Sequence, residues 1–431
     1  MKEDRTKWLV VQCAALGWNV LQDHPTLGGF DFSPLQPPTP GVTCTAQAEF
    51  RTGATAATHG MVANGLYHPS LKRPMFWEQA AAQVKGPRIW EDFRKKGGTV
   101  GMMFWQQSMG EDVDLVVSPR PIHKHSGGMI QACYTQPTSL EAWLHATVGK
   151  PFNLMHYWGP LASRKSTEWI VEATCAVMQE EDRCPDLLLT YLPHLDYDAQ
   201  RHGPDHPKAL KAVEELDAFL NQIRTTAEAM DRKVLVWGDY AMNKVTDPAI
   251  FPNRALRKAG LLDVQRVKKM AYPDLFSARA FAVVDHSIAH VHIPDEKDVD
   301  FAAMILKNEK GIEGIFRPSE LPELDHPNSG NLILFAKPGH WFAYPWWTDP
   351  KEAPDFATHV DIHNKPGFDP CELFFGKVPW QVSTDTSKVG GTHGHPGPGS
   401  ETGWACTESD FYTDTEILRL KDLAYALSSR L

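Results

Sequence analysis

The chain has no C-x-x-C pair, no run of roughly 18 apolar residues and no surplus of positive charge. Each absence removes a class of function. Its seven cysteines (Cys13, Cys44, Cys133, Cys175, Cys184, Cys371, Cys406) are scattered and odd in number, a pattern that suits reduced thiols and a cytoplasmic location rather than a disulfide framework. Without a long apolar run there is no candidate membrane span. The start, M-K-E-D-R-T-K-W, has no apolar stretch of signal-peptide length, so no leader is expected. Lys and Arg number 43 against 53 Asp and Glu, a formal charge of -10, which argues against a nucleic-acid backbone or an anionic membrane as partner. Low-complexity tracts and repeats are absent too. What is present is ordinary for a large globular enzyme: 431 residues, 42% hydrophobic and 22% charged.

Four continuous apolar runs read as strands buried on both faces. They are Trp8–Ala14, T-V-G-M-M-F-W after residue 98, Leu187–Leu192 and V-L-V-W-G-D-Y-A-M ending in Asp239-Tyr240. Between them lie helical patterns. S-T-E-W-I-V-E-A-T-C-A-V-M and K-A-L-K-A-V-E-E-L-D-A-F-L-N-Q-I have apolar residues at helical spacing, Phe76–Val84 is a further helix candidate, and T-E-I-L-R-L-K-D-L-A-Y-A-L closes the chain as a helix. Phe152–Trp158 reads as another strand. A-F-A-V-V-D-H-S-I-A-H-V-H-I-P reads as a strand pair, with His286, His290 and His292 on one face, either a metal site or incidental.

The central stretch is Gly41–Asn64, G-V-T-C-T-A-Q-A-E-F-R-T-G-A-T-A-A-T-H-G-M-V-A-N. Thr43 stands after a Pro-rich run and before a segment that opens a helix. A hydroxyl there faces backbone N–H groups that bind anions and, once deprotonated, is a nucleophile. Taken alone, an N-cap is the commoner role for such a Thr. Cys44 is a lesser nucleophile candidate and reads better as a small buried side chain.

The spacing Thr43, Thr52-Gly53, His59-Gly60, Asn64 resembles the nucleophile segment of the alkaline phosphatase superfamily, in its nucleotide pyrophosphatase/phosphodiesterase branch. Four further motifs stand in the family's order: the end of the first strand ahead of this segment, and L-P-H-L-D-Y-D-A-Q-R-H-G, G-D-Y-A-M and G-G-T-H-G-H after it. The resemblance implies an α/β fold with a mostly parallel central sheet, helices on both faces and a smaller inserted α+β cap. Residues 1–252 and 348–431 are expected to form the core and residues 253–347 the cap, where the Trp341–Trp347 aromatics serve as core or as a lid.

The resemblance also implies a Thr nucleophile (Thr43), a phosphoryl-binding Asn (Asn64) and two zinc ions. Here the ligand positions depart from the family's pattern. Ala14 stands where the first strand ends in Asp, Gln200 replaces a His, and Tyr240 replaces another. Gln12 is expected on a different face of its strand and is not counted as a substitute. Asp196, Asp239 and His393 remain as metal ligands, with His194, Asp198 and His202 crowding the same loop. D-I-H-N-K-P-G-F-D-P-C-E-L-F resembles a signature of bacterial phosphodiesterase-like members and brings Asp361, His363 and Lys365 together. The expected site is therefore Thr43, Tyr240 and His363 in catalysis, with Asn64, Lys365 and His194 binding substrate. Arg120, His123 and His125 form a basic loop, read as surface.

Zinc takes three or four N, O or S ligands. The surviving set predicts at most one weakly held zinc or other divalent ion, or none. The function expected is a hydrolase-like enzyme acting on a small anionic phosphate ester or related specialised metabolite of secondary metabolism. The alternatives are a metal-independent acid–base enzyme and a non-catalytic metabolite binder. No oligomeric state is assigned.

Overall fold

A computed structural model describes residues 5–125, 128–412 and 417–431. Its centre follows from the apolar runs. The strand Lys7–Cys13 is buried from Trp8 onward and lies parallel between Leu187–Leu192 and Arg232–Gly238. A strand covered on both faces needs apolar side chains at odd and even positions alike. Leu9, Val11 and Val236 enter one core, while Trp8, Val10 and Leu235 enter the other. Helices Arg164–Gln179 and Pro207–Ala229 close the first face, and Thr43–Thr52 with Leu420–Ser428 close the second.

The full sheet has nine strands. Five of them, from Leu115–Pro119 through Val100–Met103, Leu187–Leu192 and Lys7–Cys13 to Arg232–Gly238, run parallel. Antiparallel strands Cys133–Gln136 and Thr402–Cys406 border them, and Ser33–Gln36 and Leu418–Arg419 complete one edge. The fold is thus the expected α/β architecture. Five parallel strands end at one edge, which is where such sheets place their chemistry.

A second, four-stranded antiparallel sheet is built from Phe281–Asp285, Ile288–His292, Leu332–Ala336 and Ile312–Phe316. Its core takes in Phe342, Tyr344, Trp346 and Trp347, and also Tyr67, Phe76, Ala357 and Phe368 from outside residues 253–347. The aromatic run is therefore core and not a lid.

Three local expectations differ. Residues 76–84 hold no α-helix: Arg73–Phe76 pairs with Gly65–His68, Trp77 turns at φ 56°, and only a 3-10 turn, Ala81–Gln83, follows. Pro74 and the left-handed Trp77 both oppose helical continuation. Phe152–Trp158 is not a strand but contains the turn Leu154–His156, which Asn153 caps by accepting from the Met155 N–H at 3.0 Å. The last helix begins at Leu420, and Thr415 and Glu416 of its expected start lie outside the described residues.

Candidate active site

All ten residues of the helix Thr43–Thr52 are buried. Arg51, fully enclosed, holds it in place by donating to the carbonyls of Gln106 and Gln107 and to Glu111 Oε2 at 3.3 Å. The two Gly-containing motifs have a physical reason. Gly53 at φ 64° and Gly60 at φ 77° terminate successive helices in the left-handed region, where a β-carbon is disfavoured.

The helix is capped by Val42 in extended conformation with no side-chain cap. Thr43 is therefore the first helical residue, and its hydroxyl is not spent on capping. Instead it donates to Asp239 Oδ2 at 3.1 Å. Asp239 follows the strand Arg232–Gly238 and also accepts from Gln12 Nε2 at 2.8 Å and from the Ala15 N–H at 3.2 Å. Burial raises its pKa to about 7, although the bonds from Gln12, Thr43 and Ala15 oppose the shift. The result is a hydroxyl paired with a base whose pKa is matched to neutral pH and whose orientation is fixed by a third group.

Gln12 corrects the sequence reading. Strand side chains repeat every two residues, so positions 12 and 14 share a face, and the long amide reaches the carboxylate beyond the small Ala14. Ala15 sits at φ 57°, which keeps the tight turn that glycine would make without strain.

A second carboxyl, Asp196, lies in the first turn of His194–His202. Gln200 Nε2 donates to both its oxygens at 2.7 Å, and the Tyr240 hydroxyl donates to Oδ1 at 2.8 Å. Burial lifts this carboxyl to about 6. The Tyr240 phenol, committed to Asp196 and buried, is held protonated, so it acts as a fixed donor to its neighbour. A third carboxyl comes from the second sheet. Asp285 accepts from the Asn64 backbone N–H at 2.7 Å and from its Nδ2 at 3.3 Å, while Asn64 Oδ1 accepts from the Cys44 N–H at 3.0 Å. Asp285 thus orients Asn64 over the first turn of the helix Thr43–Thr52. Burial raises it to about 7.

His393 completes the floor. Its Nδ1–H donates to the Gly41 carbonyl at 2.8 Å, which leaves Nε2 as an acceptor. Burial lowers its pKa to about 3, so it stays neutral. It lies between Tyr240, stacked at 3.5 Å with 4° between planes, and His286 at 3.6 Å, which in turn stacks on Phe368. His286 stands at the hairpin tip with φ 55°.

These groups open into a cavity of about 390 Å³. Thr43, Asn64, Asp196, Tyr240, His363 and His393 all line it, and Asp239 lies directly beneath Thr43. His363 is at the side, its Nδ1 directed to the Phe76 carbonyl at 3.1 Å. Two expected binding residues lie elsewhere. Lys365 is buried between Asp369 at 2.8 Å and Glu372 at 2.7 Å, and His194 pairs with Glu215 at 2.8 Å. Neither lines the cavity: the Lys365 ammonium is matched by its two acidic neighbours, and His194, its pKa lowered by burial, is hydrogen-bonded to Glu215. Cys44 is fully buried and its thiol is pushed up to about 12, which removes it as a nucleophile. His290 points its two ring nitrogens at the Ser329 and Val62 carbonyls, and His292 stacks on Tyr67. The three histidines of that hairpin therefore do not converge. Tyr191, which the sequence reading passed over, lines the cavity from the penultimate position of its strand, next to Leu192.

The residues do not fit a metal pair. Both oxygens of Asp196 and both of Asp239 already accept hydrogen bonds from neutral amide, hydroxyl or backbone donors. Asp196, Asp239 and His393 are not assembled as one ligand set, and among the described residues no group of three or more His, Cys, Asp or Glu is placed to hold an ion. Gln12, Gln200 and Tyr240 turn donor groups toward these carboxylates and bring neither the negative charge nor the imidazole that a tightly held zinc pair requires.

Comparisons with known proteins agree with this chain tracing. No curated protein matches the sequence. Among solved structures, phosphonoacetate hydrolase from Sinorhizobium meliloti 1021, in complex with phosphonoformate, matches with a TM-score of 0.63 at 15% identity, covering 99% of this chain and 96% of that one. Murine ectonucleotide pyrophosphatase/phosphodiesterase 5 matches with a TM-score of 0.59 at 14% identity, covering 98% and 94%. An inactive form of the murine protein, in complex with AMP, gives 0.58 at 14%, covering 99% and 95%. At these identities the likeness is one of fold. The model of the type I phosphodiesterase/nucleotide pyrophosphatase family matches residues 28–369, a span that holds Thr43, Asn64, Asp196 and Asp239. The chain therefore belongs to the type I phosphodiesterase/nucleotide pyrophosphatase family.

Proposed function

We propose that this protein is a hydrolase of small monoanionic phosphodiesters in which the Thr43–Asp239 pair replaces a metal-activated nucleophile. The observation that carries the reading is the 3.1 Å bond from Thr43 to a buried carboxylate that Gln12 and Ala15 hold in place.

In the first half-reaction Asp239 Oδ2 takes the Thr43 proton as Oγ bonds to phosphorus, and the bond to the leaving oxygen breaks. The leaving group departs toward the cavity mouth and takes its proton from solvent. In the second half, water attacks phosphorus and gives up a proton to solvent, and Thr43 Oγ leaves and recovers its proton from Asp239. One amide hydrogen of Asn64 is held by Asp285, and the other serves a phosphoryl oxygen together with the first-turn N–H groups. His393 Nε2 accepts from the incoming water. The described cavity lining contains no Lys or Arg, so a singly charged diester suits the site better than a doubly charged monoester. The seven free thiols support a reducing compartment. Among the described residues no helix is long and apolar enough to cross a membrane.

The test is turnover of methyl 2-naphthyl phosphate by protein dialysed against a chelator, with and without added zinc. Turnover that zinc leaves within about twofold is expected. Strict dependence on zinc would overturn the assignment.

A further inference from the structure

We infer that the substrate of this site carries an apolar, ring-bearing group, uncharged apart from the reacting ester. The inference rests on the reading of the floor as the reactive end, and it concerns what occupies the rest of the cavity.

Above the polar floor the walls change character. Trp77, Tyr157, Trp158 and Phe368 line the middle, and none of them carries charge. The rim continues outward through Phe375 and Trp380, which are 59% and 88% exposed. Large apolar side chains this open to water, continuous with a reactive cavity, mark a surface that a ligand covers. A ligand bearing further phosphates would instead call for cations along the wall, and the described lining, although it includes Gln79, Gln106 and Gln381, supplies no Lys or Arg.

The floor gives a second, independent sign. Gln200 lines the cavity at 2% exposure, and its Oε1 is buried without a partner. The Nε2 of His393, which also lines the cavity, is a second open acceptor. An acceptor left bare costs about 1–3 kcal/mol, so it selects a ligand with a neutral donor such as a hydroxyl. The chemical class is the phosphodiester of a ring-bearing alcohol or phenol that carries a further, unesterified hydroxyl. A cavity of about 390 Å³ is at the lower end of those that hold drug-sized molecules.

The experiment is calorimetric binding to Thr43→Ala, which separates recognition from turnover. The probes are 2-naphthol, AMP and inorganic phosphate, and Trp380→Ser in the same background serves as the rim control. Expected is tighter binding of 2-naphthol than of AMP or phosphate by at least about tenfold, with affinity about fivefold weaker in Trp380→Ser. Tighter binding of AMP or phosphate, no binding of 2-naphthol, or equal binding by Trp380→Ser would overturn the inference. If 2-naphthol binds as expected but methyl 2-naphthyl phosphate is not turned over by the intact protein, the hydrolase reading fails while the ligand class stands.

Discussion

Thr43→Ala is expected to lower kcat for methyl 2-naphthyl phosphate by at least about 10⁴-fold, because it removes the atom that bonds to phosphorus. The stability cost should be small. Val42, not Thr43, caps the helix, so no cap is lost. Only a 3.1 Å bond to Asp239 and the methyl contacts disappear. Thr43→Ser keeps the oxygen and the bond and gives up the β-branch that fixes χ1. It is expected to retain activity within about tenfold of the parent. Steady-state kinetics on both variants, with melting temperatures as the folding control, checks this. An alanine variant as active as the serine variant would mean that Thr43 is inherited helix geometry and nothing more.

The second large effect concerns Asp239. Asp239→Asn is expected to reduce kcat about 10²- to 10⁴-fold, the usual contribution of a positioned base. Its pH dependence identifies the role. A carboxyl raised to about 7 must lose its proton to act as a base, so kcat should rise with pH through about 7 and level off above it. That inflection should vanish in Asp239→Asn. Stability runs the other way. Asp196, Asp239 and Asp285 all titrate higher folded than unfolded, at about 6, 7 and 7. The stability held by their protonated forms is fully present below about pH 4 and is lost as pH rises through 6 to 7. The melting temperature should therefore fall between pH 5 and 8 while activity climbs, and Asp239→Asn should flatten part of that fall. A kcat that falls with rising pH through 7 would assign Asp239 the opposite role, as an acid.

The parallel sheet was legible because strands buried on both faces need continuous apolar runs, and Trp8–Cys13, Leu187–Leu192 and the run ending at Gly238 are such runs. Thr52-Gly53 and His59-Gly60 were legible as a motif because each Gly terminates a helix in a conformation few other residues adopt. The substitutions at Ala14, Gln200 and Tyr240 were visible as departures, but what they do was not. Gln200 reaches Asp196 within one helical turn, but the bonds from Tyr240 to Asp196 and from Gln12 to Asp239 join elements 44 and 227 positions apart.

The misplaced residues share one cause. Lys365 and His194 were chosen for their places in motifs, and each turns to a partner, Glu372 or Glu215, that local spacing does not announce. Asp285 stands in the hairpin motif that was read for its histidines, whereas its partner, Asn64, is 221 positions away. Such contacts belong to topology, and periodicity carries no signal for them.

The most direct measurement is peptide mass spectrometry of the protein, freed of metal by chelator and quenched in acid during turnover of methyl 2-naphthyl phosphate. Phosphothreonine is stable to acid, so a covalent intermediate would survive the quench. If the hydrogen-bonded pair does the work once assigned to cations, the peptide containing Thr43 should carry a methyl phosphoryl group in the absence of any added ion. Product release with no adduct on Thr43, or an adduct that forms only when zinc is restored, would contradict it.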